Sequence, residues 1–260
     1  MPAIRAIAPV LLPTLALALA ACSTPPRGAG GADTVRYTMR EAAQRVGECR
    51  LPPPDSTTAA PCVTAVVRWP DIDPRDSVLA DARSFLRRVA SASFRTGDDL
   101  GSPDSAVRAV VGERAAMFKD HAGYDVAWKV ERTVEVACNE PGRFGARISS
   151  SQRTIDPHEI TRVRYTSFDT RTGAPIGLET LLMPGRDAAF RAATARAYEA
   201  SRRGASGTVL VNPDSFPMPR SVLVCGDSLA LQYDVIQLGP HRVMGAVFAI
   251  KRDVVGALLK

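Results

Sequence analysis

Five cysteines and three histidines are the residues of this chain best suited to chemistry. The histidines, His121, His158 and His241, lie far apart. Only His158 has polar company close by: in Asp156-Pro157-His158-Glu159 it stands between two carboxylates. Such a group can move protons or hold a metal. It can equally be a solvated turn, stiffened by Pro157, ahead of a strand. No Gly-x-Ser-x-Gly elbow occurs, which argues against a hydrolase nucleophile of that kind. No CxxC or HxxxH spacing points to zinc. The expectation is a protein without a catalytic set, cofactor or metal, and so not an enzyme.

Cys22 stands apart from the other cysteines. It closes a leader with a basic start at Arg5 and an apolar run from Ala6 to Ala21, interrupted by Pro9, Pro13 and Thr14; no acid precedes Asp33. That is the layout of a secretory signal. The run is too short and too proline-broken to suit a membrane-spanning helix. Leu19-Ala20-Ala21-Cys22 resembles a bacterial lipobox, in which the cysteine takes a diacylglyceryl group and becomes the new N-terminus. Several acyl chains together anchor firmly. Residues 1–21 are therefore read as a signal peptide and Cys22 as the lipidation site, which predicts an extracytoplasmic, lipid-anchored protein. Ser23, a non-acidic residue after the cysteine, predicts the outer membrane, facing the periplasm, in a cell with two membranes.

Four cysteines remain: Cys49, Cys62, Cys138 and Cys225. An even number outside the cytoplasm suggests two disulfides. Three pairings are possible. Cys49 and Cys62 are close in sequence, and Cys138 and Cys225 both sit in strand-like segments, which favours Cys49–Cys62 with Cys138–Cys225.

The elements that must position these residues follow from periodicity. The chain has 260 residues, 45% of them hydrophobic, and a net charge of +6. Its charges are scattered, without the basic stripe or module a nucleic-acid partner would need. Residues 23–33 are rich in Pro, Gly and Ala and read as a flexible tether. Residues 34–60 are ambiguous: Thr38 to Val46 can form a short helix, and Leu51-Pro52-Pro53-Pro54 then forces an extended turn. Val63 to Trp69 is a strand closed by Pro70. Asp76 to Phe94 repeats apolar residues at three- and four-residue steps, a helical period. A second helix starts at Ser102-Pro103-Asp104 and runs to about His121. From Tyr124 the period becomes two: strands extend to Cys138, from Phe144 to Ser151 and from Ile160 to Phe168. Helical pieces follow at Leu178 to Leu182 and Ala188 to Arg203. Further strands span Thr208 to Val211, Ser221 to Cys225, Leu229 to Val235 and Val243 to Ile250, before a short terminal helix. The fold expected is α+β, a mostly antiparallel sheet with helices packed on it. Its two contiguous subdomains are residues 60–152 and 153–260, preceded by a tether and disulfide-bearing segment, 22–59.

The order of several motifs resembles the PdaC/RsiV-like extracellular region of bacterial envelope proteins. Phe168-Asp169-Thr170-Arg171-Thr172-Gly173, followed by Ile176, Leu178, Glu179, Leu181 and Leu182, is similar to that family's FD-x-x-TG stretch. Leu229 to Tyr233 and then Ile236-Gln237-Leu238-Gly239-Pro240 resemble its strand leading into a YEIAP-like motif. Trp69-Pro70 and the helix from Asp76 resemble the companion N-terminal part. The glycines the family often carries before its FD strand are absent, and the YEIAP-like motif lacks its second Tyr and its Glu. Family members include a lysozyme-sensing anti-sigma factor and a peptidoglycan deacetylase. The resemblance thus implies a stand-alone, non-catalytic binding or sensing module at the envelope, with lysozyme or peptidoglycan as ligand classes and Tyr233, Gln237 and His158 as candidate binding residues. A structural envelope lipoprotein and a peptidoglycan-acting enzyme are the alternatives.

Overall fold

The computed structural model describes residues 34–47, 62–120, 127–153, 160–202, 212–238 and 241–260. Among the described residues, eight strands and five α-helices form an α+β fold with two sheets. The first sheet has the order β1-β2-β3-β4-β5: Tyr37–Gly47, Cys62–Ile72, Ala127–Glu140, Arg143–Arg153 and Ile160–Asp169. Its neighbours are antiparallel except β2 and β3, which run parallel. A parallel pair needs a long crossover. Here helices α1 (Ala80–Ser91) and α2 (Pro103–Asp120) supply it.

β1 departs from the sequence expectation. Met-Arg-Glu-Ala-Ala-Gln-Arg is made of good helix formers, which allowed a short helix in an ambiguous stretch. The segment is instead a strand pairing residue by residue with β2, from Tyr37↔Ile72 to Gly47↔Cys62. The open edge of apolar β2 outweighs a preference of a few tenths of a kcal/mol per residue. The segment read for 22–59 therefore holds a sheet strand after its tether, 23–33. β2 also continues through Pro70. Its pairing with β3 stops at Arg68, so Pro70 lies where β2 faces β1 alone and its missing N–H costs no ladder bond on the β3 side.

α1 buries Ala82, Leu86 and Ala90 at four-residue steps. α2 starts where Ser102 Oγ accepts from Ser105 N at 3.1 Å, an N-cap followed by Pro103 in the first turn. Val107, Val110 and Val111 of α2 join Val63, Ala65, Val67, Trp128 and Val130 of the sheet in one core. The other face of β1–β3 carries charge. Arg68 bridges Glu41 at 2.6 Å and Glu131, while Lys129 meets Glu131 at 2.9 Å. These cations, Lys129 foremost, hold the Glu131 carboxyl below its ordinary value.

The second sheet is β6-β7-β8: Ser221–Cys225, Ser228–Leu238 and His241–Lys251, all antiparallel. One of its faces covers α4 (Asp187–Arg202), enclosing Phe190, Tyr198, Phe216, Leu229, Leu231, Tyr233 and Ile236. β6 docks on the first sheet: Tyr165 N donates to Ser221 Oγ at 2.9 Å and Val224 N to Ser167 Oγ at 3.4 Å. A Cβ on Gly145 would overlap Leu223, so the sheets approach closely because that side chain is missing. The short helices α3 (Leu178–Leu181) and α5 (Arg252–Val255) meet near the C-terminus, where Met183 N donates to Leu258 O at 3.0 Å and Lys260 N to Leu181 O at 2.8 Å.

The boundary drawn at 152/153 does not hold. β5 was assigned to the second subdomain, yet it pairs with β4 as the last strand of the first sheet. A hairpin returns its second strand to the same sheet, and β4 had an open edge to offer. The strand expected at Thr208 to Val211 lies outside the described residues, as does Gly239-Pro240.

Candidate functional site

The α1/α2 face of the first sheet carries arginines in register. Arg132 on β3 faces Ser150 on β4, and Ser150 faces Arg162 on β5. Arg164 lies two residues further along β5, on the same face by strand alternation.

Arg132 is the most confined of these, at 7% exposure. α1 ends at Ala92 and leaves carbonyls without intrahelical partners. Arg132 fills that role. Its Nη1 donates to Val89 O at 3.1 Å and Ala92 O at 2.5 Å, Nη2 to Ser93 O at 3.3 Å, and Nε to Ser150 Oγ at 3.3 Å. Its guanidinium also sits 4.2 Å from the ring centre of Phe94. A cation at a helix C-terminus is favoured by the helix dipole. Burial, with Arg164 adding repulsion, pushes the Arg132 pKa down to about 10, which leaves it charged at neutral pH.

Arg114 of α2 packs its guanidinium 4.1 Å from the ring centre of Trp128, and its Nε is buried without a hydrogen-bond partner. Arg95 meets Glu113 at 3.6 Å. Arg95, Arg114, Arg132, Arg162, Phe94 and Ser150 line a cavity of about 300 Å³ together with Glu113, the sole carboxylate among its described lining residues. Among the described residues, no ion pair engages Arg114, Arg132 or Arg162. Chemically this is a place for an anion.

A wider, more open cavity of about 680 Å³ lies at the far end of the fold, beside Arg143, Arg171, Arg252 and Lys260. Its charges are partly matched: Asp169 pairs with Arg171 at 3.2 Å and Glu140 with Arg143 at 3.3 Å. Near that end the structure joins Cys138 to Cys225 in a disulfide between β3 and β6. Glu140 reaches across the same junction, accepting from Gly226 N at 3.0 Å through each carboxylate oxygen. Cys138, Glu140 and Cys225 gather within 4.8 Å, but the two sulfurs are bonded to each other and so are not thiolate ligands.

The fold belongs with solved structures of remote sequence. A DUF3298 family protein of Pseudomonas aeruginosa PAO1 matches with a TM-score of 0.57 at 17% identity, over 88% of this chain and 97% of the other. A member of the same family from Bacteroides fragilis NCTC 9343 matches with a TM-score of 0.51 at 12% identity, over 86% and 94%. This is the fold of DUF3298 family proteins. No protein-family model matches the chain. No curated protein matches it.

Within that fold, the FD-x-x-TG stretch is architectural. Asp169 Oδ1 accepts from Arg171 N at 2.8 Å and Thr172 N at 3.1 Å, and Asp169 O accepts from Gly173 N at 2.8 Å. Gly173 has φ 73°, and a Cβ there would overlap the Val78 carbonyl. Its acid and glycine shape a turn packed under the start of α1, with no ligand required.

The residues singled out from sequence are not brought together. Tyr233 is 1% exposed, so it is a core residue and no part of an accessible binding face. It stacks on Phe248 with ring centres 5.4 Å apart and lies 5.3 Å from Phe216. Burial drives its phenol pKa well above the ordinary value, partly offset by Thr194. Strand alternation places Tyr233 on the face covered by α4, which a β-strand pattern alone cannot distinguish from the solvent face. Gln237 lies on the β7 backbone, and its side chain is outside the described residues. His158, with Asp156 and Glu159, is likewise outside them, as are Cys22 and Cys49. Cys62 is disulfide-bonded. The arginine cavity was not foreseen. Its one sequence signal is Arg132 at the strand position between Val130 and Val134, a charge in an apolar alternation.

Proposed function

We propose that this chain is a lipid-anchored, extracytoplasmic protein of the PdaC/RsiV-like kind, acting as a non-catalytic binding or sensing module at the cell envelope. The observation that carries the reading is cysteine use: every cysteine among the described residues, Cys62, Cys138 and Cys225, is disulfide-bonded. Proteins committed to such cross-links belong to oxidising compartments. The leader ending in Leu19-Ala20-Ala21-Cys22 supports the same placement. The binding role draws on the family-like motifs and on the likeness to DUF3298 folds, and fold likeness alone does not establish function. Peptidoglycan and lysozyme are the ligands the resemblance suggests.

The test uses the full chain, purified in detergent after expression in a bacterial host with radiolabelled palmitate. Label should enter the protein and disappear in Cys22→Ser. The purified chain should be retained on peptidoglycan or on immobilised lysozyme. Labelling without capture by either would leave a structural envelope lipoprotein as the better account.

A further inference from the structure

We propose that the cavity between α2 and strands β3–β5 is a binding site for a single oxyanion, a phosphate or carboxylate carried on a small organic body, with Arg114 and Arg162 as its direct contacts and Arg132 as its fixed charge. This rests on the binding-module reading and names the ligand chemistry for it.

Four guanidiniums line the cavity against one carboxylate, and that carboxylate, Glu113, is taken by Arg95 at 3.6 Å. Like charges gathered without counter-ions repel. A bound anion would relieve that repulsion. The donors sort by availability. Arg132 uses Nε, Nη1 and Nη2 on Ser150 and the end of α1, so it contributes field and little direct bonding. Arg114 is held flat on Trp128, and its Nε is buried with no acceptor. An unsatisfied buried donor is costly, and an incoming oxygen would satisfy it. Ser150 Oγ accepts from Arg132, which leaves its own hydrogen free to donate. Arg162 is exposed at the end of the register row and free to close over a ligand.

Size and lining limit the ligand. About 300 Å³ admits one compact group such as a sugar acid, at the lower end of small-molecule sites. Phe94, Val110 and Val130 give the cavity an apolar wall. A planar fork of donors suits a carboxylate or phosphate bound through two oxygens.

Calorimetric titration of the full chain in detergent, at low salt, tests this with two probes: inorganic phosphate and N-acetylmuramic acid. Saturable binding of at least one is expected. Arg162→Gln and Arg114→Gln should each weaken it roughly tenfold, the loss of one charge-assisted hydrogen bond. Arg87→Gln, on the exposed side of α1, should leave it unchanged. Tighter phosphate binding assigns a phosphorylated ligand, and tighter binding of the sugar acid a carboxylate one. Saturation by neither probe overturns the proposal, and so does an equal loss in Arg87→Gln. Should Arg114→Gln fail to fold, the exposed Arg162 variant decides alone. Retention of the double variant Arg114→Gln/Arg162→Gln on peptidoglycan at wild-type level would remove the cavity from a binding role that itself survives. Tight oxyanion binding by a chain that captures neither peptidoglycan nor lysozyme would sustain the site and remove those ligands.

Discussion

Cys138 and Cys225 are 87 positions apart in the chain, yet their Cα atoms lie 5.6 Å from each other, and their disulfide ties the end of β3 to the end of β6. The bond spans the two sheets at the point where Glu140 also grips the β6–β7 turn. Closing so long a loop restricts the unfolded chain strongly, by about 4.6 kcal/mol on the chain-entropy account. The double variant Cys138→Ser/Cys225→Ser should lower unfolding free energy by about 2–5 kcal/mol in denaturant titrations. It should also abolish most of the effect of a reductant on this junction. An unchanged midpoint would mean that the sheets hold each other without the bond.

Arg132 caps α1 from the sheet. Arg132→Met keeps the stem volume but leaves the Ala92 carbonyl without its donor and takes one donor each from the Val89 and Ser93 carbonyls, which keep Ala92 N and Gly97 N. The expected loss is about 2–4 kcal/mol. Arg132→Lys should recover only part, because a single ammonium cannot reproduce the fork. Hydrogen exchange should show the last turn of α1 opening first in both variants. Equal protection in wild type and Arg132→Met would remove the capping role.

Tyr233 has a buried hydroxyl with no geometric hydrogen-bond partner. Tyr233→Phe should therefore shift stability by less than about 1 kcal/mol, or raise it. Tyr233→Ala should cost about 3–5 kcal/mol through the cavity it leaves. A loss of ligand capture in the Phe variant at unchanged stability would restore Tyr233 to a binding face.

Gly173 answers two demands at once, a positive φ and the nearness of the Val78 carbonyl. Gly173→Ala should destabilise by more than about 1 kcal/mol, whereas Gly185→Ala, which has positive φ but open space around it, should cost less. Thermal melts of the two variants side by side measure the difference. Equal costs would mean that backbone conformation alone sets the requirement.

Asp169 has its pKa lowered, first by the Arg171 side chain and then by backbone N–H groups of the turn. A carboxyl with a depressed folded-state pKa stabilises above its unfolded value, near 4, and loses that contribution as pH falls through the lower folded value. Acid titration of stability should therefore be shallower below about pH 4 in Asp169→Asn than in wild type. Matching slopes would show that the turn does not sense the charge.

Much of the architecture was readable along the chain. α1 announces itself by three- and four-residue apolar steps, α4 by its run of alanines, and the strands from Tyr124 on by a period of two. Ser102-Pro103 marks the start of α2, and Gly226-Asp227 the β6–β7 turn. Turn and helix signals are local, so spacing within a dozen residues is enough to see them. The errors lie where a partner remote in sequence decided the outcome. Met39 to Arg45 favours a helix in isolation, and the open edge of β2 made it a strand. β5 looked like the start of a new subdomain, and its pairing with β4 placed it in the first sheet.

The candidate site was less legible still. Alternation shows that Tyr233 and Arg132 each point to one side of a strand, but not what covers that side. α4 and Phe216 cover Tyr233, which turns a plausible ligand contact into core. The end of α1 covers Arg132 and accepts its donors, which turns a charge in an apolar strand into a cap beside a cationic cavity. By itself the sequence determined the α+β class and most of the element boundaries, because each rests on residues near one another in the chain. Strand register and the packing of helices over the sheet decided the rest. They bring Arg114, Arg132 and Arg162 to one cavity through contacts between segments far apart in sequence.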